Sequence, residues 1–372
     1  MRVLVLNAGS SSLKLRLLGH RDEILVDDSF EPCTAPDIDN LAARLAEISG
    51  VDAVGHRVVH GGADLTEPVM LDDDVQHRIA LLAPLAPSHQ TRALAAIRAA
   101  RAAFPAIPAV ACFDTAYHAT LSPAASTYAL PAIWRDRWHL RRYGFHGLSH
   151  SYATRRAAEL VGAGGQALRV VSCHLGAGAS LCASQGGRSV DTTMGFTPLE
   201  GLVMATRSGS VDPGLLLWLL TTAGLDAEHV GRELEEHSGL AGLSGGSGDM
   251  RDVLAARASG DEHAHLAFDV YVHRLVREIA AMAASLLGLD VLVFTGGVGE
   301  HAPAVRAAAA ERLGFLGVAV DPGRNATAIG GDANIGALDA PVATLVVEAR
   351  EDLEIARHTR LVLGGTDPTR PQ

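Results

Sequence analysis

The chain has 372 residues, of which 48% are hydrophobic, and its 31 basic and 42 acidic side chains give a formal net charge of −11. A chain of this length has enough residues for about two domains with buried cores. Its acidic balance argues against nucleic acid as a partner, because a nucleic-acid-binding surface has to neutralise phosphates.

The sequence also argues against a membrane or secreted protein. No apolar run approaches the roughly 20 residues that a membrane helix needs, and the apolar stretch after Arg2 is too short for a signal peptide. The four cysteines form no Cys-x-x-Cys pair, and a fold of this size needs no disulfides. These features predict a cytoplasmic protein that binds no membrane.

The chain opens on a predicted β-hairpin. Val3–Leu6 is an apolar run typical of a buried strand, and Asn7–Ser10 is rich in the small residues that form turns. Over Leu13–Leu17, leucine alternates with basic residues, which predicts a second strand. Lys14, on that strand, is the only lysine of the chain. Its compact charge suits phosphate oxygens, as do the N–H groups and hydroxyls of the turn.

Helix and strand patterns then alternate along the chain. The segment from Ser122 to Arg142 shows no period, so irregular connecting structure near a domain boundary is predicted there. The periodicity predicts helices at 38–48, 75–82 and 91–103, and strands at 51–60 and 107–113. A further helix is predicted after His150, ending at about Leu160.

The opening pattern returns roughly one domain later. Val170–Leu175 predicts a strand, Gly176–Gly178 a turn and Ser180–Ala183 a second strand, which suggests an internal duplication of structure. In Val291–Glu300 another strand ends in glycines, and a helix is predicted after Pro303. These loops fit neither Gly-x-Gly-x-x-Gly nor the Walker motif. We therefore predict a nucleotide held in a cleft between two duplicated domains.

Nine ordered motifs resemble those of the acetate kinase family, part of the superfamily of acetate and sugar kinases, chaperone ATPases and actin. The resemblance extends from Asn7 to about Thr359, and it is specific because so many motifs occur in order. The motifs are Asn7–Lys14, Gly55–Gly62, Phe113–His118, Tyr143–His150, His174–Ser180, Asp191–Gly201, Thr206–Gly209, Ser247–Asp252 and Thr295–Glu300.

The resemblance implies an α/β fold, with two duplicated domains of the actin-like ATPase (ribonuclease H-like) type around a central nucleotide cleft. The first domain would comprise residues 1–115 and a returning C-terminal helix in 349–372. The second domain, residues 119–348, would carry the nucleotide loops and a homodimer interface on the helices around 215–220 and 265–287.

The implied activity is the reversible, Mg²⁺-dependent, direct in-line transfer of the γ-phosphoryl group of ATP to acetate, giving acetyl phosphate and ADP. The rate of such a transfer depends mainly on the positioning of the reactants and on the neutralisation of phosphate charge. By resemblance Asp114, His146 and Arg207 are catalytic, the last two as donors to the oxygens of the transferring group. A carboxylate nucleophile has no proton to give up, so we expect Asp114 to orient Mg²⁺ or the arginines rather than to act as a general base.

The resemblance assigns the other site residues to three groups. Arg57 would clamp the substrate carboxylate through its planar fork, in a small pocket that is completed by Val59, His89, Phe145 and Pro198. Asn7 and Glu351 would supply oxygen ligands to Mg²⁺, with Mn²⁺ as the alternative metal. ATP or ADP would contact Ser12, Lys14, His174, Leu175, Gly176, Ala177, Gly178, Asp249, Met250, Arg251, Gly297, Val298, Gly299, Glu300 and His301.

Two departures from the family pattern bear on the activity. Ala177 stands where an asparagine is usual, which removes an amide near the phosphates and predicts a modest loss of nucleotide affinity or rate. Ser88 stands where a leucine of the acyl pocket is usual, which makes that pocket roomier or more polar. Acetate remains the expected substrate, with propionate or another short-chain acid as the alternative.

Other interpretations of these residues remain open. A non-catalytic nucleotide switch is the alternative from another functional class, and a sugar kinase is a third possibility. The presence of both Arg57 and Arg207 favours a kinase that acts on a carboxylate over a nucleotide switch or a sugar kinase. Taken alone, Arg57 is also typical of an exposed salt-bridge residue, and Asp114 and Asp249 are typical of helix N-caps.

Overall fold

The computed structural model of the protein describes residues 1–9, 13–30, 35–163 and 166–364, which form two compact units. The first comprises Met1–Ala119, Phe145–Tyr152 and the described residues from Arg350 onward, and the second comprises Thr120–Gly144 and Ala153–Ala349. Phe145–Tyr152 therefore pack with the first unit, although the predicted boundary placed them in the second domain. The predicted domain limits as a whole stay a prediction.

Both units contain strands and helices, and α6 begins in the first unit and ends in the second. In chain order the elements are β1 (Val3–Ala8), β2 (Leu13–Leu18), β3 (Ile24–Phe30), α1 (Ala35–Ala46), β4 (Ala53–Val58), β5 (Val69–Met70), α2 (Asp73–Leu81), α3 (Pro87–Ala103), β6 (Ala109–Phe113), α4 (Pro123–Ser126), α5 (Ala132–Trp138), α6 (Gly147–Leu160), β7 (Arg169–Leu175), β8 (Ala179–Gln185), β9 (Arg188–Thr192), α7 (Pro213–Thr221), α8 (Ala227–Glu236), α9 (Gly239–Ser244), α10 (Met250–Ala258), α11 (Glu262–Ser285), β10 (Val291–Thr295), α12 (Gly296–His301), α13 (Pro303–Arg312), α14 (Pro322–Thr327), β11 (Ala333–Asn334), β12 (Ala343–Val346) and α15 (Glu351–Val362).

Six strands form the sheet of the first unit, in the order β3-β2-β1-β4-β6-β5. β1 to β3 form an antiparallel meander, β1, β4 and β6 are parallel, and β5 is antiparallel to β6. Side chains on both faces of β1 are buried, because α1 and α3 cover one face and α15 covers the other. β2 alternates buried leucines with the exposed Lys14 and the half-buried Arg16, as its sequence pattern predicts.

The second unit repeats this topology in the order β11-β12-β10-β7-β8-β9. β7 to β9 form the meander, β7, β10 and β12 are parallel, and β11 is antiparallel to β12. Each strand of the first sheet thus has a counterpart at the same place in the second. The predicted duplication of structure and the predicted α/β fold class are confirmed.

The prediction of irregular structure between Ser122 and Arg142 is wrong, because the segment contains two short helices. The Ser122 side chain caps α4, and α5 ends where His139 adopts a left-handed conformation. Helices of four and seven residues are too short to display the 3.6-residue period from which helices are predicted.

α7 is apolar on all sides and lies on the surface. It begins as its sequence predicts, with the Asp212 side chain accepting a hydrogen bond from Gly214 N–H and with Pro213 in the first turn. None of its nine residues is buried. Within the part of the chain that the structure describes, no helix has the length and the apolar character needed to cross a membrane.

Candidate functional site

Three parallel strands of the first unit bring polar residues together at one edge of the sheet. Asn7 lies near the end of β1, Arg57 near the end of β4, and Asp114 directly after β6. These strands are adjacent and parallel, so their carboxyl ends meet at the same edge. Glu351, the first residue of α15, completes the group.

The Arg57 guanidinium is the centre of this cluster. Its Nε lies 3.0 Å from Oδ1 of Asp114 and its Nη2 lies 2.7 Å from Oδ2, a bidentate pair. Its Nη1 lies 3.1 Å from Oδ1 of Asn7 and 3.2 Å from Oε2 of Glu351. The side chains of Arg57 and Asp114 are only 11% and 1% exposed, so the interpretation of Arg57 as an exposed salt-bridge residue is wrong.

Burial and charge act in opposite directions in this cluster. Burial lowers the pKa of Arg57, but the carboxylates of Asp114 and Glu351 outweigh that effect and raise it above its ordinary value. Burial raises the pKa of the Asp114 carboxyl, while the Arg57 guanidinium opposes the rise. One cation therefore faces the buried carboxyl group of Asp114 and the half-buried one of Glu351, and their geometry fixes the orientation of its fork.

Backbone hydrogen bonds fix the segment that carries His146 beside Asp114. The backbone of His146 donates to the Asp114 carboxyl, and Gly147 N–H donates to the Asp114 carbonyl at 3.0 Å. His146 itself has a left-handed φ of 55°. A Cβ on residue 147 would lie 2.0 Å from the Asp114 carbonyl oxygen, so this turn requires glycine.

The other predicted acyl-pocket residues of the first unit are buried or half-buried. Val59 and Phe145 are buried, and the Phe145 ring packs edge-on against His60 with 5.4 Å between ring centroids. The buried amide of Gln90 bonds to both the N–H and the carbonyl of His60, at 3.2 and 3.0 Å. This pair of bonds ties the end of β4 to α3, which carries the half-buried His89.

In the second unit, the Arg207 guanidinium contacts a backbone carbonyl rather than a carboxylate. Its Nη1 donates to the Pro198 carbonyl at 2.6 Å. Burial lowers its pKa, and the charge of Glu235 only partly opposes this. Among the described residues no carboxylate lies within ion-pair distance of it. The Pro198 loop is itself held, because Glu200 accepts hydrogen bonds from the side chains of Arg142 and Tyr128.

A cavity of about 650 Å³ lies in the second unit, beside the glycine loops. Its walls are mainly apolar and come from α9, α10, α11 and α12 and from the loops before them, with the charged side chains of Asp249 and Arg251 and the imidazole of His301 among the lining residues. The lining residues are Gly176, Ala177, Ala205, Thr206, Leu240, Gly248, Asp249, Met250, Arg251, Leu254, Tyr271, Gly297, Val298, His301 and Ala302.

The cavity brings together eight of the residues predicted to contact nucleotide: Gly176, Ala177, Asp249, Met250, Arg251, Gly297, Val298 and His301. Five others belong to the same loops without lining the cavity: His174, Leu175, Gly178, Gly299 and Glu300. Lys14 is exposed on β2 of the first unit, and Ser12 lies outside the described residues. Asp249 also caps α10 through Arg251 N–H, as its alternative interpretation predicts.

Two buried side chains hold the glycine loop of α12 in place. Oε1 of Glu300 accepts hydrogen bonds from Gly296 N–H at 2.9 Å and from Ala349 N–H at 3.0 Å. Arg306, which is 0% exposed, donates to the carbonyls of Gly299 and Glu300, both at 2.8 Å. Sequence reasoning missed Arg306 and the cavity residues Leu240, Leu254 and Tyr271, because an apolar helical pattern does not show which face borders a cavity.

The residues predicted to hold a metal have suitable chemistry. Asn7 and Glu351 present hard oxygen atoms, and they are linked by a 2.8 Å hydrogen bond from Asn7 Nδ2 to Glu351 Oε2. Mg²⁺ typically takes one or two protein oxygens and completes its shell with phosphates and water, which this pair fits. In the described ranges, no group of three or more His, Cys, Asp or Glu side chains is arranged to hold a metal.

Comparisons with known proteins agree on one family. The model of the acetokinase family matches residues 33–357. The acetate kinase of Nostoc punctiforme is 42% identical over an alignment of 405 positions, which covers 98% of this chain and 100% of that protein. The crystal structure of Porphyromonas gingivalis acetate kinase superposes with a TM-score of 0.90 at 34% identity, covering 97% of this chain and 99% of that one. A propionate kinase from Francisella tularensis gives 0.88 at 33% identity, with the same coverage.

Proposed function

We propose that this chain, which belongs to the acetokinase family, transfers the γ-phosphoryl group of ATP to acetate, giving ADP and acetyl phosphate. The observation that carries the proposal is Arg207, a half-buried guanidinium with no ion-pair partner among the described residues. Charges that are withdrawn from water in folded proteins are usually paired. Arg207 is therefore suited to an anionic ligand, and a transferring phosphoryl group is such a ligand.

Arg57 is the proposed clamp for the carboxylate of acetate. Asp114 holds its Nε and Nη2 atoms, so the fork has one orientation before the substrate binds. Acetate is already ionised at neutral pH, and the reaction therefore needs no general base. In this proposal Asp114 acts by positioning Arg57.

Arg207 and His146 are the proposed donors to the transferring phosphoryl group. Charge spreads over its three equatorial oxygens in the transition state, and catalysis depends on neutralising that charge. Arg207 is fixed by its bond to the Pro198 carbonyl. His146 is fixed through the backbone bonds of its own turn to Asp114.

Asn7 and Glu351 are the proposed protein ligands of Mg²⁺, with Mn²⁺ as an alternative. The metal would neutralise phosphate charge when it is bound. Because Glu351 also lies 3.2 Å from Arg57 Nη1, its carboxylate is shared with the substrate clamp.

The cavity of the second unit is the proposed nucleotide site. Its apolar walls suit a purine base, and the Gly176 and Gly297 loops let the backbone approach a ligand closely. The exposed Lys14 of the first unit is the proposed additional phosphate contact. Because ATP is a cytoplasmic substrate, we also propose a cytoplasmic location.

The direct test is to trap the acyl phosphate. Hydroxylamine converts an acyl phosphate to a hydroxamate, so the full chain is incubated with ATP, Mg²⁺, acetate and hydroxylamine. Hydroxamate formed in proportion to time and enzyme is the expected result. ATP binding without product from any short acid would contradict the proposal and favour a non-catalytic nucleotide switch.

A kinase of propionate or another short-chain acid is the second candidate function. The similarity to a propionate kinase favours it, as does serine at residue 88, whose side chain lies outside the described part of the chain. A larger pocket predicts a kcat/KM for propionate within one or two decades of that for acetate. Comparing acetate, propionate and butyrate checks this, and an exclusive preference for acetate would contradict the larger pocket.

Replacing Ala177 with asparagine is expected to improve the enzyme. Residue 177 is exposed at the cavity wall, so an amide there gains about one hydrogen bond to the phosphates, which is worth about threefold to tenfold in KM for ATP or in kcat. Steady-state kinetics measure the change. Ala177→Leu, which adds similar volume without hydrogen-bonding groups, is the matched control; an equal gain from both variants, or none from asparagine, would overturn the prediction.

The exposed helix α7 supports a homodimer formed through the second unit. Leu215, Leu217 and Trp218 are 47%, 62% and 53% exposed. Contiguous apolar surface of this kind commonly marks a protein–protein interface. A second copy of the chain is the proposed partner, because the two-fold symmetric contact of a homodimer pairs an apolar patch with itself.

Replacing Trp218 with aspartate is expected to weaken that dimer at least about 100-fold, since a carboxylate would be buried in an apolar contact. Analytical ultracentrifugation over a concentration series measures the dissociation constant. Trp138→Asp is the control, because Trp138 is similarly exposed, at 49%, but lies on α5. A monomeric wild type, or a Trp218 variant that dimerises as tightly as the control, would contradict the homodimer.

A further inference from the structure

The backbone of His146 has an unusual conformation for a residue with a side chain. His146 directly precedes α6, and its carbonyl accepts a hydrogen bond from His150 N–H at 2.9 Å, in the first turn of that helix. A residue at this position of a helix typically has an extended backbone, but His146 has a left-handed φ of 55°. A residue other than glycine keeps such a conformation, at a cost in energy, only where its surroundings fix it firmly.

The peptide group between Phe145 and His146 is held at both of its polar atoms. Its N–H, which belongs to His146, donates to the Asp114 carboxyl. Its carbonyl, which belongs to Phe145, lies 3.0 Å from Nε2 of His118. A carbonyl oxygen can only accept, so Nε2 of His118 carries the proton and donates. Because the φ angle of His146 describes the rotation of this peptide group about the N–Cα bond, the two hydrogen bonds together fix that angle.

His118 is itself held firmly enough to act as such an anchor. Its side chain is 0% exposed. Its ring packs edge-on against the ring of His150 with 5.9 Å between centroids, and its backbone N–H donates to the Thr115 carbonyl at 3.1 Å. Its hydrogen bond to Phe145 is therefore shielded from water, where such a bond is stronger than at the surface.

We propose that His118 is a positioning residue for phosphoryl transfer, because it holds the Phe145–His146 peptide group and so fixes the place of the His146 side chain. This inference rests on the proposed function, in which His146 donates to the transferring phosphoryl group. In the proposal His118 acts only through His146. A catalytic group that is displaced by about 1 Å can lose about 100-fold in rate.

Two substitutions of His118 that differ mainly in one N–H donor test the proposal. His118→Gln keeps a side-chain N–H at about the place of Nε2, and His118→Met has a similar length without a donor. His118→Met is expected to lower kcat about 10-fold to 100-fold, and His118→Gln is expected to keep at least about a third of the wild-type kcat. KM for ATP and for acetate is expected to change less than about twofold in both variants, because the loss is confined to the transition state. The hydroxamate assay measures both quantities.

A double-mutant cycle with His146→Ala distinguishes positioning from a general structural role. If His118 acts through His146, removing the His146 side chain makes the positioning irrelevant. His118→Met is then expected to lower kcat less than about twofold in the His146→Ala background. A general loss of structure would instead lower kcat by the same factor in both backgrounds.

Thr359→Val is the matched control. Thr359, on α15 of the same unit, is also 0% exposed, and its hydroxyl donates to the Ile355 carbonyl at 2.8 Å. This variant loses a buried hydrogen bond from a side chain to a carbonyl, as His118→Met does, but not at the turn that carries His146. It is expected to leave kcat unchanged in both backgrounds.

The outcomes separate the inference from the proposed function. Equal losses of kcat in His118→Gln and His118→Met, no loss in His118→Met, or the same loss in both backgrounds would each overturn the inference alone. A His146→Ala variant with the wild-type kcat would overturn the proposed role of His146, and the inference with it. A wild type that forms no hydroxamate from any short acid would overturn the proposed function as a whole.

Discussion

Replacing Arg207 with alanine is expected to lower kcat by about 100-fold to 1,000-fold while the protein stays folded. Arg207 is a half-buried cation that donates a hydrogen bond to the Pro198 carbonyl, and the loss of water around it lowers its pKa. Loss of one preorganised donor to developing negative charge costs this much in other enzymes. The melting temperature is expected to stay the same or to rise, because the side chain that is removed is a desolvated, unpaired charge.

Steady-state kinetics and thermal melting measure both effects. Arg207→Lys keeps the charge without the planar fork and is expected to recover only part of the rate. Arg232→Ala, an exposed arginine of α8 in the same unit with a 4.0 Å ion pair to Glu228, is the control and is expected to change neither quantity. If the Arg207→Ala variant keeps more than a tenth of the wild-type kcat, the prediction is wrong, and the role of Arg207 is only to hold the Pro198 loop.

Replacing Arg57 with methionine is expected to abolish measurable turnover and to lower the free energy of unfolding by about 3–5 kcal/mol. The loss of stability follows because Asp114, 1% exposed, would be left as an unpaired buried carboxylate. Glu351 would lose the same partner. The loss of activity follows because acetate would have no clamp.

A second substitution separates these two effects. In the double variant Arg57→Met with Asp114→Asn, the buried negative charge is gone, so most of the lost stability is expected to return while activity does not. Urea denaturation and the hydroxamate assay measure the two quantities. If the double variant stays as unstable as the single one, the buried pair is not the cause; if it regains activity, Arg57 is not the substrate clamp.

The local elements of the fold could be predicted from the sequence because their patterns are short-range. The alternation over Leu13–Leu17 appears in the structure as buried leucines on β2. The caps of α7 and α10 appear at Asp212 and Asp249, where side chain and backbone N–H are two residues apart. The two short helices α4 and α5 were missed, since they contain too few residues to show a period.

The candidate site was predictable in part. The ordered motifs identified the family, and the family model and the relatives confirm it. The motifs also predicted that Ala177 and Val298 contact the nucleotide, and in the structure both residues line one cavity. They led us to expect Asp114 to orient Mg²⁺ or the arginines, but not that Asp114 forms a buried pair with Arg57. Those residues are 57 positions apart and meet only through the order of the strands.

The sequence by itself therefore determined seven of the twelve strands of the described chain, the glycine turns, the duplicated α/β plan and the family, since these depend on residue type, spacing and order along the chain. Only the tertiary structure decided which side chains are buried together. Glu351 reaches Asn7 across 344 positions because α15 packs against β1. Tyr271 borders the cavity because α11 packs against α10. Such contacts depend on the packing of helices and strands that are far apart along the chain, and no local sequence pattern predicts that packing.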